Sequence, residues 1–341
     1  MRKFVVKNTI SIYKYIISYF NKNNYYKNKY CNYLIQILLI LIFIFFSIFN
    51  QKLYYFKNYS FKKKDIKVCL CVMGKEENLY AKEFINHYKQ LGYNHIFLYD
   101  NNNINGEKFE DVLKEEISEG FVSIINFRGK KGKIGKLGGI QLEIYYHCYE
   151  NNNKKYDWLS FFDFDEFLVI KPKNQSIQNF LYNKRYNNCD TIKINFLYYS
   201  DNEHLYYSNK SVQERFRIPL YKHYGNKVIK STIRGNLKEN YWKKNFCAHT
   251  SLMKYRTCDS TGNLTRYNSF IIKVNFSFAY LKHYYTKSVE EYCHKIKRGE
   301  AFYNNINYTK KRKLFKIKRY FSFNKKTKEK MELFKKLLNL K

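Results

Sequence analysis

Between Ile66 and Asn102 the chain reads as strand, helix, strand, an order that leaves few architectures open. "IKVCLCVMG" (66–74) is apolar almost throughout. "ENLYAKEFINHYKQLG" sets Leu79, Phe84, Ile85, Tyr88 and Leu91 on one helical stripe closed by Gly92, and "NHIFLYDNN" is a second apolar run ending on Asp100. Such a unit predicts two parallel strands joined by a right-handed crossover. A third strand is expected at "GFVSIINF" (120–127) and a helix at "GGIQLEIYYHCYEN". "WLSFF" should be a further strand, apolar at nearly every position as in strands covered on both faces. The expected class is α/β with a mostly parallel sheet, whose ligands bind beyond the carboxyl ends of the strands.

Beyond residue 172 the pattern is mixed. Strands are expected at "DTIKINFLYYS", "SVQERFRIPLY", "NKVIKSTIR" and "SFIIKVNFSFAYLKHY", and helices from Ser288 onward. "KKTKEKMELFKKLLNLK" is a basic amphipathic helix with Met331, Phe334, Leu337 and Leu338 on its apolar face, expected to pack on the domain. At 45% hydrophobic the chain has ample core. Its formal charge of +35 points to anionic partners, or to a global bias that inflates Lys, Asn, Ile, Tyr and Phe together. No nucleic-acid partner is expected.

"LIQILLILIFIFFSIF" (34–49) carries no charge and, with its apolar flanks, approaches the roughly 20 residues that span a bilayer. The expected organisation is a basic cytoplasmic tail (1–33), a transmembrane anchor (34–56) and a short stem (57–64). A catalytic domain (65–305) and basic C-terminal helices (306–341) follow. Arg2, Lys3 and Lys7 before the apolar run favour a cytoplasmic N-terminus, hence a single-pass type II protein of the Golgi or another secretory compartment. Cys69 and Cys71 share one face of a strand, too close to bridge each other, and Cys247 with Cys258 is the candidate disulfide. The cysteine spacing does not suggest structural zinc.

The chemistry concentrates in "FFDFDEFLVI" (161–170), where Asp163, Asp165 and Glu166 end an apolar run. Buried carboxylates need a partner. If the strand continues through residue 165, Asp163 and Asp165 share one side while Glu166 faces the other. Two carboxylates so placed can hold a hard divalent cation, which in turn binds a diphosphate. A turn acid or a salt-bridged pair is the plainer alternative.

In these stretches the chain resembles the family 92 glycosyltransferases of the GT-A superfamily, relatives of family 2. The resemblance runs through "CVMGKEENLYAKEFINHYKQLGYNHIFLYDNN", "GFVSIINFRG", "DWLSFFDFDEFLVI", "SVQERF" and "HYYTKSVEEYCHKIKRG". It implies a GT-A fold and a hexosyltransferase that moves a sugar, galactose favoured, from a UDP-linked donor to a glycan on a glycoprotein, glycolipid or polysaccharide. Inversion and a Mn2+ or Mg2+ ion are implied as well. The family's DxD falls on Asp163-Phe164-Asp165, and "GKEEN" departs from the relatives' Arg/Lys-Asn-Glu while placing Lys75 and Glu77 at the nucleotide.

Asp100, at a strand end, is expected to accept hydrogen bonds from base or ribose, and Arg128 to meet donor phosphate or acceptor. His283 and His249 are candidates to complete the metal shell. Ser288 and Glu291 form the pattern of a capping box; with Lys287 before them, and Lys295 and Arg298 at helical spacing, the helix start suits a phosphate. An inverting transfer needs a general base, and among Glu166, Asp201, Glu203 and Glu214 the expectation falls on Glu214, with Asp165 as the other catalytic acid. A DxD phosphatase is disfavoured by Phe167, where that chemistry wants a small or branched residue. A membrane-tethered polyanion- or glycan-binding protein without turnover is the remaining alternative.

Overall fold

In the computed structural model, residues 66–132, 139–173, 175–238, 256–265, 271, 273–299 and 310–340 are described. They belong to one compact unit, Asp65–Lys341. The expected anchor, tail and stem, and His249 and Cys247, lie outside the described residues; among those described, no helix is long and apolar enough to cross a membrane.

The expected opening unit is present: β1 (Val68–Gly74), α1 (Asn78–Gln90), β2 (His95–Asp100). After α2 (Lys114–Ser118) come β3 (Val122–Asn126), α3 (Gly139–Asn152), β4 (Trp158–Phe161) and β5 (Glu166–Ile170). Next are α4 (Ile177–Leu181), β6 (Thr191–Tyr198), α5 (Val212–Arg215), β7 (Ile229–Arg234), β8 (Thr257–Asp259) and β9 (Ala279–His283). The last elements are α6 (Val289–Arg298), α7 (Lys310–Phe321) and α8 (Lys328–Leu338).

The sheet runs β3-β2-β1-β4-β7-β6-β9-β5, with β8 beside β6. The first four strands are parallel, and Gly74 pairs with Asp100, so the carboxyl ends of β1 and β2 align. From β7 onward the sheet is mixed rather than mostly parallel as expected: β7 is antiparallel to β4 and β6, and β5 to β9. β4 and β5 follow one another through a short turn but do not pair; the strands beside them, β7 and β9, come from later in the chain and run antiparallel to them. "SVQERF" also departs from expectation. Ser211 and Glu214 form a capping box, and Glu83 accepts the N–H groups of Val212 and Gln213, so the segment turns into helix α5.

Alternation along β1 explains the two-faced core. Val68, Leu70 and Val72 face α1 with Phe84, Ile85 and Tyr88, whereas Cys69 and Cys71 face α3 with Ile144 and Tyr145. Cys71 bridges Cys148 on α3, and Cys189 bridges Cys258. The expected Cys247–Cys258 pair is therefore corrected: β8 lies beside β6 with Cys258 opposite Ile192, close to Cys189. The last position of β1, Gly74, has no room for a side chain: a Cβ there would stand 2.3 Å from the Phe109 ring and 2.8 Å from Phe164.

The C-terminal helices pack on α6 through Val289, Tyr292, Ile296, Ile317, Tyr320 and Phe334. A buried polar lock reinforces them. Asp201 takes the Tyr320 hydroxyl at 2.5 Å and the Lys330 ammonium at 2.7 Å, while its N–H donates to Asn324 at 2.6 Å. Asp201 and Glu203, weighed as general bases, are instead the anions that hold Lys330.

Candidate active site

The acid-rich turn forms because its aromatic residues are drawn into the core. Phe162, Phe164 and Phe167 are buried, and Phe164 stacks on Phe109 at 5.6 Å with an interplanar angle of 4°. Strand β4 stops at Phe161, and Glu166 N–H closes a turn onto the Asp163 carbonyl at 3.0 Å. The period-two expectation therefore fails: Glu166 folds back, its carboxylate accepting the Asp163 N–H at 3.0 Å, and joins the other two acids.

Cations and donors from four distant elements meet these carboxylates. Asp163 accepts Gln141 Nε2 and the Tyr145 hydroxyl, both at 2.7 Å from α3, and pairs with Lys230 of β7 at 2.8 Å. Lys230, fully buried, also lies 3.7 Å from Glu166. Asp165 pairs with Lys295 of α6 at 2.7 Å and faces His283 Nε2 of β9 at 3.5 Å. His283 stands opposite Glu166 in the β5–β9 register and lies against Tyr198, ring centroids 4.6 Å apart.

Ionisation follows from these contacts. Burial works against the charge on Asp165, but Lys295 and His283 outweigh it and hold the carboxyl well below its ordinary range. Burial pushes Glu166 well above its ordinary value, an effect the Lys230 charge only partly offsets. Burial also lowers His283 against the pull of Asp165, which favours a neutral imidazole. A carboxylate oxygen of Asp165, one of Glu166 and a ring nitrogen of His283 lie within 4.8 Å of one another.

A second group of charges borders this cluster. After β1 the chain passes through Lys75, Glu76 and Glu77, Glu76 in the left-handed region at φ 52°. Glu77 binds Arg298 at 2.6 Å and Lys287 at 3.6 Å, and the Lys287 ammonium sits 3.2 Å from the Tyr80 ring centroid. Arg298 donates to the carbonyls of Lys75 and Glu76, and Lys75 Nζ donates to the carbonyl of Arg298 at 3.3 Å. Ser288 caps α6 as expected. Lys287 is close enough for its charge to favour ionisation of Asp165, as Asp165 does for that of Arg298. Asp163, Asp165 and His283 thus converge, bordered by Lys75, Glu77, Lys287, Ser288 and Arg298.

Other expected residues are occupied elsewhere. Asp100, expected at the base or ribose, binds Arg128 at 2.6 Å and accepts the Asn102 N–H. Arg128 donates from every guanidinium nitrogen, chiefly to the carbonyls of Asn103, Ile104, Gly106 and Glu107, and so clamps a loop. Glu214, the expected base, is exposed and accepts the Ser211 N–H in its own capping box. Its neighbour Arg215 makes a bidentate pair with Glu291 at 2.7 and 2.8 Å, which the Tyr80 hydroxyl joins at 2.7 Å. The sequence reading missed Lys230, Gln141 and Tyr145. A lysine inside the otherwise uncharged core of "VIKSTI" and the i, i+4 pair on α3 were the available signals.

The Glu291 pair makes a testable contribution to stability. Burial opposes its charge, yet the Arg215 hydrogen bonds, Lys287 and Ser288 bring its carboxyl from the ordinary 4.5 down to about 2. The stabilisation, about 3 kcal/mol, is complete above pH 4.5 and is lost as pH falls toward 2. Urea unfolding of wild type and Glu291→Gln should show a difference that shrinks steadily from pH 5 to pH 2.5; a constant difference would refute it.

The comparisons with known proteins define the class. The profile of glycosyltransferase family 92 matches residues 64–336, and the chain belongs to that family. A family 92 protein of rice (Oryza sativa subsp. japonica) is 28% identical over 126 residues, 37% of this chain. That match spans 20% of the relative's own length. Among solved structures, S. aureus TarS 1–349 in complex with UDP-GlcNAc superposes with a TM-score of 0.37 at 11% identity, covering 81% of this chain and 72% of that one. The mannosyltransferase PcManGT from Pyrobaculum calidifontis, in complex with GDP-Man and Mn2+, gives 0.26 at 13% identity, covering 42% of each chain. At such scores these likenesses carry no weight for the site.

Proposed function

We propose that the chain is a divalent-cation-dependent GT-A hexosyltransferase, moving a sugar from a nucleotide-sugar donor to a glycan. The observation that carries this reading is the convergence of Asp165, Glu166 and His283 beside the cations Lys295, Lys287 and Arg298. The donor set fits the ion: Asp165, an imidazole kept neutral by burial, and Glu166, which burial drives toward protonation and which would give a second hard oxygen once the ion's charge holds it ionised; its Oε1 is buried, without a hydrogen bond and 3.7 Å from Lys230. These three residues, rather than Asp163 with His249, are the proposed ligands. Bound there, Mn2+ or Mg2+ would supply Lewis-acid stabilisation of the leaving diphosphate.

The chain's own residues do the rest. Lys287 and Arg298 orient the diphosphate electrostatically, Asp163 is fixed by Gln141, Tyr145 and Lys230, and burial keeps bulk water from the Asp165 side. A UDP-linked donor, galactose as the sugar and inversion are proposals that rest on family resemblance. The two disulfides support a lumenal domain behind an N-terminal membrane anchor, since such bonds persist in oxidising compartments.

Nucleotide release from a panel of UDP- and GDP-sugars tests the reading. Release should require Mn2+ or Mg2+, and Asp165→Asn should lower it about a hundredfold, the size of losing one charge-stabilising group. Release unaffected by chelation would refute the cation dependence, and none from any donor together with no nucleotide binding by calorimetry would favour the non-catalytic binding protein.

A further inference from the structure

The acid cluster holds two lysines of different character. Lys230 is fully buried and shared between Asp163 and Glu166, so it cannot leave without abandoning the buried Glu166 and the partly exposed Asp163. The Lys295 side chain is 26% exposed, and besides Asp165 it meets, among the described residues, only the Tyr285 carbonyl at 3.1 Å and the Tyr285 ring at 4.3 Å. Lys295 occupies Asp165 Oδ2, whereas His283 faces Oδ1. The same carboxylate is thus approached from one side by an ammonium and from the other by the metal-ligand set.

We infer that Lys295 is a displaceable counter-ion, competing with the divalent cation for Asp165 and moving to the donor diphosphate when cation and nucleotide are bound together. This rests on the metal-dependent reading given above. Three observations carry it. An ammonium and a divalent cation on one buried carboxylate repel strongly, because screening there is weak. Lys295 and Arg298 stand three residues apart on one face of α6, with Lys287 just before that helix, so a released ammonium stays within an existing row of cations. Charge favours the same exchange. Lys287, Lys295 and Arg298 face the anions Asp165 and Glu77, an excess of one positive charge that a divalent cation raises to three and that the donor diphosphate, with two negative charges, brings back down. The flexible four-carbon stem of lysine leaves its compact ammonium free to make the exchange.

The test uses binding rather than turnover, with the full chain. Free Mn2+ is followed by electron paramagnetic resonance, and UDP binding at saturating Mn2+ by calorimetry, for wild type, Lys295→Met and Lys295→Gln. Both variants should bind Mn2+ about tenfold tighter without nucleotide, and UDP about tenfold weaker. A residue that merely supports the fold would weaken both, which overturns the inference, as would unchanged Mn2+ affinity in either variant. Asp165→Asn separates the two levels of the argument. If wild type binds Mn2+ and Asp165→Asn does not, an unchanged Lys295→Met refutes the counter-ion role alone; if wild type binds no Mn2+, the metal-dependent reading and the counter-ion role fall together.

Discussion

Lys230→Met is expected to destabilise the fold by about 3–5 kcal/mol, because it removes the cation from two carboxylates at once. Lys230 is fully buried, 2.8 Å from Asp163 and 3.7 Å from Glu166. Asp163 is partly exposed and retains Gln141 and Tyr145, so most of the loss should come from Glu166, which is buried and, among the described residues, pairs with no other cation. Burial already drives Glu166 toward its protonated form, and without Lys230 it should stay neutral well above its ordinary range. Glu166→Gln in the Lys230→Met background should therefore recover part of the stability, a coupling that a double-mutant cycle in urea measures directly. A single-variant loss under about 1 kcal/mol would show that the lysine is dispensable, contrary to this account.

Replacing both Cys71 and Cys148 by alanine should cost about 4 kcal/mol on the chain-entropy view, since the bond closes a loop of 77 residues. The consequence reaches the site, because α3 carries Gln141 and Tyr145, the two donors that hold Asp163. Hydrogen exchange over 139–152 should quicken in this variant more than global destabilisation explains. Removing Cys189–Cys258, which closes a similar loop of 69 residues far from α3 in sequence, should lower stability without that local signature. Equal exchange over 139–152 in the two variants would show that the first bond has no special hold on Asp163.

What could be read from the sequence was whatever depends on neighbours along the chain. The β1–α1–β2 unit follows from apolar spacing within Val68–Asp100, and the α6 cap from Ser288 and Glu291. The same Ser-x-x-Glu pattern at Ser211 and Glu214 lies in a stretch that reads as strand, and the acceptor that supports the cap, Glu83, lies far off in sequence on α1. Asp163, Asp165 and His283 were identified by type and position. Their grouping with Glu166 was not, since it depends on Phe164 leaving the strand to stack on Phe109. Arg128 is expected at donor phosphate or acceptor from its place after β3; only the folded loop after Asp100 brings four carbonyls to its guanidinium. In each case the missing information was a tertiary contact that overrides a local pattern.

The order of residues around the acidic turn has a consequence for a growing polypeptide. A ribosome adds Asp163, Asp165 and Glu166 well before Lys230, His283 and Lys295, and the Tyr320–Asp201 lock on α6's companion helices closes later still. While translation is under way, the nascent chain holds three carboxylates beside an aromatic-rich segment with none of their eventual positive partners yet made. Its parallel strands β1 to β4 can assemble in that interval, but the half of the molecule that would grip a nucleotide cannot. The acidic turn therefore acquires the last of its charge partners only once Lys295 has been added.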